Sequence, residues 1–435
     1  MNRIAQVMNR IALVTVGDEL LNGAVVDTST SWLGAQLSLD GHVLALSISV
    51  LDDLAAISDA ILTAIARADA VIITGGLGPT SDDLTRLGVA RAARVEVAQR
   101  PELVDLLTTR YAARHMAVPS QALVMAELPE GATALVNNSG SAPGIFMEID
   151  GVPLFALPGV PHEMREMFTA DVAPRLRARF IPVPRHTFIV RVSLLGETAI
   201  AEALRELEAQ LPSDISIAYL ASLGDVEVKI SSESAATALK YAKRAADLIG
   251  DSVYAIDDAK SVRSTLASAV LDLLRERNET VATAESLTGG GLAQLLTDIP
   301  GSSEVFLGGA VGYGSRSKHA LLDVPEELMA ENGTVDALVA KAMARGVRLR
   351  LKAGWGISTT GVAGPGEYEG HPAGTLFIAL SSQTGESAFK VVLTGQMADD
   401  RARVRGASAA YALDFFRRSL AGLPMGMKAG LITEE

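Results

Sequence analysis

Thr280-Val281-Ala282-Thr283-Ala284-Glu285-Ser286-Leu287-Thr288-Gly289-Gly290-Gly291-Leu292-Ala293-Gln294-Leu295-Leu296 reads as a short apolar strand, a glycine turn and the start of a helix. That order is the unit of a layered α/β fold. It also gathers backbone N–H groups at one point, which suits a phosphate or a developing oxyanion. Glu285 and Ser286 stand at the mouth of the turn, and Thr288, Gly289 and Gly290 form it. A carboxylate, a hydroxyl and an anion nest within a few residues point to chemistry. The alternative is a glycine turn that only lets a helix pack closely on a sheet.

A second strand-like run, Trp355–Thr360, opens into Gly361-Val362-Ala363-Gly364-Pro365-Gly366. Between the two turns lie Ser302, Ser303 and the segment Tyr313-Gly314-Ser315-Arg316-Ser317-Lys318. A serine needs a base before it attacks a carbonyl, and a lysine of depressed pKa serves where no histidine does. His319 adjoins Lys318, but nothing around it in the sequence marks it as that base. A solvated surface charge is the other reading of Lys318.

Together ESLTGG, Pro300-Gly301-Ser302-Ser303, Tyr313-x-Ser315-x-x-Lys318, TGVAGP and Gly374-Thr375 resemble the CinA carboxy-terminal domain over about 261–420. Stand-alone forms of that domain are nicotinamide mononucleotide deamidases. The resemblance implies a Ser/Lys amidohydrolase that yields nicotinate mononucleotide and ammonia without a cofactor. It implies Ser286 as nucleophile, Lys318 as base, and Tyr313 and Ser303 in support. Substrate contacts are expected from Glu285, Thr288, Gly289, Gly290, Thr360, Gly361, Gly364, Gly374, Thr375, Arg401 and Arg405. The spacer Gln396-Met397-Ala398-Asp399 before that basic pair is longer than the family's, and His371 stands where the family often has lysine.

The 435 residues exceed one ordinary domain, so two to three are expected. Hydrophobic residues make up 49% but aromatics only 4%, a mixture suited to closely packed α/β layers. There is no cysteine, which removes disulfides, thiolate metal sites and cysteine nucleophiles and suits a cytoplasmic protein. A net charge of −13 opposes sequence-independent binding to nucleic acid or anionic membrane. No apolar run approaches the roughly 20 residues of a membrane span. Met1-Asn2-Arg3-Ile4-Ala5 and Met8-Asn9-Arg10-Ile11-Ala12 are near repeats, so Met8 is an alternative start, with the first seven residues disordered.

Outward from the deciding stretch, the last domain is expected over 261–421, with helices at Val262–Arg275, Leu338–Leu351 and Asp399–Leu420. Before it, 173–256 shows β-α-β-β-α order and resembles a KH-type α+β module. The Gly-x-x-Gly loop of nucleic-acid-binding KH domains is missing, so the module reads as a spacer, with a hinge at Asp257–Ser261.

The first domain, 10–172, alternates strands and helices, which implies a parallel sheet with ligands at the strands' carboxyl ends. Gly17, Asp18 and Glu19 follow one strand. Thr74, Gly75, Gly76, Gly78 and Thr80 follow another, and Asp82 and Asp83 open a helix expected to run to Ala93. Carboxylates beside a phosphate cradle suit a divalent metal held with a phosphorylated ligand. Helix capping is the alternative for Asp82 and Asp83. With Asn138–Gly144 and Pro158, Gly159 and Glu163, the segment resembles the molybdopterin-binding MoaB/MogA-like domain in its CinA form. That resemblance implies ADP-ribose pyrophosphatase activity with Mg²⁺, Mn²⁺ or Co²⁺ at Asp82 and Asp83, and a homodimer. Asp27-Thr28-Ser29 replaces the family's usual Asp-Thr-Asn. A binding module without turnover and a competence-linked factor are the competing functions.

Overall fold

The structure is a computed structural model that describes residues 9–181, 185–425 and 432–434. The near repeat at Met1–Ala5 and the alternative start at Met8 lie outside the described residues. The chain forms two compact units, Met1–Arg185 and His186–Glu435.

The first unit is built on Arg10–Val16 (β1), Val43–Val50 (β2), Ala70–Thr74 (β3), Thr133–Leu135, Gly144–Ile149 and Val152–Leu157, with Val97–Gln99 (β4) and Glu127–Pro129 (β5) paired apart. Numbering the last three β6, β7 and β8, the sheet order is β2-β1-β3-β8-β7-β6. β2, β1, β3 and β8 run parallel, and the β7–β8 hairpin and β6 add antiparallel edges. β3 is buried throughout and β1 after its first residue, as a strand covered on both faces must be. One face packs on Leu33, Leu37, Met164 and Phe168, the other on Ile57, Ile61 and Val89. The helix expected from Asp82 begins at Thr85. The Asp83 carboxylate turns back to the Gly78 and Thr80 amides instead of capping the helix. The expected domain end at 172 falls inside a continuous helical run, because Ala173–Arg179 buries Ala173 and Leu176 in the first unit's core.

In the second unit, His186–Ser193 (β9), Ser216–Ser222 (β10), Asp225–Ser232 (β11) and Val253–Asp258 (β12) form an antiparallel sheet ordered β10-β11-β9-β12. Alternate residues of β11 are buried against the helices Glu197–Ala209 and Ala235–Ile249. The expected hinge begins inside β12. Asp257 pairs with Ile189 and its carboxylate holds Arg191 at 2.8 Å and the Ser264 hydroxyl at 2.6 Å, so this stretch is fastened.

The remaining strands are Val281–Glu285 (β13), Phe306–Val311 (β14), Trp355–Gly361 (β15), Thr375–Ser381 (β16), Glu386–Val392 (β17) and Ile432–Glu434 (β18), in the order β14-β13-β15-β16-β17-β18. β14, β13 and β15 are parallel and the rest antiparallel. The helix expected from Val262 starts at Leu266, because Thr265 and Ser268 form a capping box. It packs with helix Arg401–Ala421 through Val270, Leu274, Phe415 and Phe416. Losing either phenylalanine ring would cost about 3–5 kcal/mol. Asp414 on that helix is buried. It accepts from Arg417, Arg418 and, at 2.6 Å, from the Ser193 hydroxyl of β9, which ties the middle module to the last layer.

Candidate active site

β13, β14 and β15 end together, at Glu285, Val311 and Gly361. The strand register continues one residue past β13, where the Ser286 amide donates to the Thr359 carbonyl at 2.8 Å. The chain then turns through Gly289 and Gly290, with φ of 60° and 96°, into helix Gly291–Thr297.

The anion nest expected here is filled by the protein itself. Glu285, 1% exposed, accepts from the amides of Gly290 at 2.9 Å, Leu292 at 3.0 Å and Ala293 at 2.8 Å. Its carboxylate neutralises the helix start and is spent in doing so. Glu285 is therefore a structural anchor of the turn.

Lys318 comes from helix Ser315–Leu322, which follows β14. Its Nζ stands 2.9 Å from Ser286 Oγ. Gly312 leaves room for the lysine stem, since a Cβ there would sit 3.3 Å from Lys318 Cγ. Lys318 is 1% exposed, and burial lowers its pKa to about 8, with the charge of Glu369 acting in the opposite direction. His319 binds the Val324 carbonyl through Nδ1 at 2.9 Å, on the exposed side of the helix.

A cleft of about 540 Å³ opens over this pair, and Ser286, Tyr313, Lys318, Gly361, Gly364 and Arg401 all line it. Arg401 donates to Tyr313 Oη at 2.7 Å and to the Gly364 carbonyl at 2.6 Å, so it spans the cleft mouth. Arg405 does not line the cleft. It donates to the carbonyls of Leu287 at 3.0 Å and Thr288 at 2.9 Å and holds the turn behind the serine. The Thr288 hydroxyl pairs with that of Thr359 at 2.7 Å. Thr360 donates to the Thr334 carbonyl, and the backbones of Gly374 and Thr375 clamp Val362 from behind the wall. Gly289 and Gly290 shape the turn beneath the cleft without lining it. Ser303 lies in the short turn Ser302–Glu304 and is not part of the cleft lining. Sequence reasoning missed Thr334, Val335 and Tyr368, which do line it; none belongs to the glycine motifs that mark the site in the sequence.

In the first unit a cleft of about 560 Å³ sits at the carboxyl ends of β1 and β3. Gly17, Glu19, Gly75, Gly76, Gly78, Thr80, Asp82, Asp83, Pro158, Gly159 and Glu163 line it, together with Asp52, which sequence reasoning missed. Asp18 and Thr74 stand behind it. The Asp18 carboxylate takes the Asp52 amide at 2.9 Å, and the Thr74 hydroxyl donates to the Pro158 carbonyl at 3.1 Å. Burial raises the pKa of Asp52, reinforced by the charges of Asp18, Glu19 and Asp82. Asp83 is committed to the Gly78 amide at 2.7 Å and the Thr80 amide at 2.8 Å, and Glu163 to Asn137 at 2.7 Å. Among the described residues no three His, Asp or Glu side chains assemble as a metal cage. No described helix is long and apolar enough to cross a membrane.

The family model for the CinA C-terminal domain matches residues 263–420, and that for a probable molybdopterin binding domain matches 12–178. The chain is 43% identical to a CinA-like protein of Frankia casuarinae, over 95% of this chain and 97% of that one. It is 35% identical to a CinA-like protein of Myxococcus xanthus, over 95% and 99% of the two chains. A solved CinA structure from Thermoplasma acidophilum, described as of unknown function, is 32% identical and covers 38% of this chain and 95% of its own, with a TM-score of 0.36.

Proposed function

Since this chain belongs to the CinA family, we propose that its last layer hydrolyses the amide of nicotinamide mononucleotide to nicotinate mononucleotide and ammonia. The observation that carries this reading is the 2.9 Å contact between Lys318 Nζ and Ser286 Oγ in a buried site. A lysine whose pKa is brought down to about 8 is neutral in a useful fraction of molecules near neutrality. Neutral Lys318 takes the Ser286 proton while Oγ bonds to the amide carbon. The C–N bond then breaks as the Lys318 ammonium returns its proton to the departing nitrogen, which leaves as ammonia. Water, deprotonated by the same amine, attacks the acyl ester, and the C–O bond breaks to release the acid and restore Ser286.

The oxyanion needs a donor, and the Ser286 amide is already spent on Thr359. Tyr313 Oη accepts from Arg401, which leaves its own hydrogen to donate into the cleft. The cleft's capacity of about 540 Å³ suits a mononucleotide. The test is ammonia release from nicotinamide mononucleotide by the full chain and by Ser286→Ala. We expect a loss of about a thousandfold or more in a folded variant. Near-normal turnover by Ser286→Ala would remove Ser286 as nucleophile.

The acid-lined cleft of the first unit supports a second reading, cleavage of a nucleotide diphosphate such as ADP-ribose. A Mg²⁺, Mn²⁺ or Co²⁺ shared with the ligand's phosphates would suit the carboxylates that line this cleft. EDTA should then abolish diphosphate cleavage and spare ammonia release. Chelation that stops both, or no cleavage with any of the three metals, leaves this cleft as a binding site only.

A further inference from the structure

Glu369 has no part in the chemistry above. It sits in a two-residue turn with Gly370, closed by paired backbone bonds between Tyr368 and His371. Its φ is 51°, a left-handed conformation that a residue with a side chain seldom takes. The turn is held by the carboxylate, which accepts from the Thr334 amide at 2.6 Å, the Val335 amide at 3.0 Å and the Thr334 hydroxyl at 3.1 Å. Gly333 makes space for it, since a Cβ there would stand 2.7 Å from Glu369 Oε2. Thr334 and Val335 belong to one wall of the cleft, Glu367 and Tyr368 to its outer loop. One carboxylate therefore fastens two walls of the same cleft.

Its charge also bears on the base. Lys318 is displaced downward by burial, and Glu369 is the charge that opposes this. The other ionisable groups nearby have different engagements. Glu285 is turned to its three amides, Tyr313 and Arg401 bind each other, and His319 holds Val324. Arg316 and Glu367 are exposed on the same helix and the outer loop. On the packed helix Glu326–Asn332, Glu326, Glu327 and Glu331 are exposed. On Ala337–Leu351, Arg345, Arg348 and Arg350 bind Glu386, Ser381 and Asp323, and Lys341 completes the set.

We propose that Glu369 is a positioning residue for Lys318, fastening the loop Gly364–Gly374 to the Thr334–Val335 wall of the cleft that Lys318 lines and setting its negative charge at that wall. This rests on the Ser286–Lys318 reading. The two actions separate by substitution. Glu369→Gln keeps an oxygen for the three donors and removes the charge, and Glu369→Ala removes both.

The experiment uses the full chain in two measurements. Nitrogen-15 NMR on lysine-labelled protein follows the titration of Lys318 itself, with no need for turnover. Ammonia release from nicotinamide mononucleotide gives kcat and KM against pH. We expect Lys318 to titrate roughly half a pH unit or more lower in both variants, since a nearby carboxylate favours the protonated amine. The acid limb of the rate profile should move with it. KM should stay within about twofold in Glu369→Gln and rise about tenfold in Glu369→Ala, which loses the fastening. Lys318 titrating at its wild-type position in both variants overturns the proposal, as does an unchanged KM in Glu369→Ala. If Lys318 shifts as expected while the wild type releases no ammonia, the charge relation stands and the hydrolase reading fails.

Discussion

Replacing Lys318 by methionine should inactivate the last layer and make it more stable. Methionine keeps the length and apolar volume of the buried stem and discards only the amine. Lys318 is 1% exposed, and its pKa falls from 10.5 to about 8 on folding. A lowered lysine pKa means that the unfolded chain holds the proton more tightly than the folded one. Stability therefore rises with pH between the folded and unfolded values, and below about 8 the whole penalty is present. The displacement corresponds to about 3 kcal/mol at pH 7, which methionine relieves apart from small packing losses. For a unit of this size that is a rise in Tm of several degrees. On the kinetic side, loss of the general base should cost about a hundredfold to ten-thousandfold in kcat/KM. In the wild type the rate should climb from pH 7 and level off above roughly pH 9, where a lysine of pKa about 8 is neutral. Thermal unfolding of both proteins at pH 7 and 10 and a wild-type pH–rate profile check this. The stability difference should be smaller at pH 10. A methionine variant that is less stable at pH 7, or a rate still rising tenfold per pH unit beyond pH 10, would refute the assignment of Lys318 as a buried, depressed base.

Arg405→Ala should lower kcat by about ten- to a hundredfold with KM within about threefold, because the guanidinium touches the carbonyls behind Ser286 and not the cleft. Steady-state kinetics read this directly, and a pure KM effect would place Arg405 on the substrate instead. In the first unit, His42 is 2% exposed and neither ring nitrogen has a hydrogen-bond partner among the described residues. Burial lowers its pKa, with Asp40 opposing and Arg177 adding to the fall. The unfolded state therefore binds the proton more readily, and this unit should lose stability as pH drops below about 6.5. Denaturant unfolding at pH 5 and 8 should show that loss, reduced in His42→Leu.

Fold and family were legible because strand–glycine–helix punctuation is local. What the side chains do at those turns was not. The pattern at Glu285–Gly291 suggests a vacant anion nest, yet the acid that precedes the glycines folds back into it. Asp83 does the same to Gly78 and Thr80, so a carboxylate expected at a metal also clasps a turn. Which way a carboxylate points depends on the closed turn, and no spacing rule reports that. Asp52 was invisible for another reason. It follows β2 in an ordinary Leu-Asp-Asp step and reaches the cleft only because β2 lies beside β1. β14 escaped because Gly308 and Gly309 dilute its strand signal, and a Cβ at Gly309 would stand 2.2 Å from Thr283 Oγ1. Lys318 and Ser286 were found by resemblance, and only the structure supplies their 2.9 Å approach.

The helix Arg401–Ala421 has two grips. Near its start Arg405 holds the turn that carries Ser286, and nine residues later Asp414 holds Ser193 of the middle module. At 1.5 Å per residue the two grips are about 13 Å apart along one unbroken rod. Such a rod joins the two places directly. A substitution that removed the Asp414–Ser193 bond would thus act on the same helix that holds the carbonyls of Leu287 and Thr288 behind the serine.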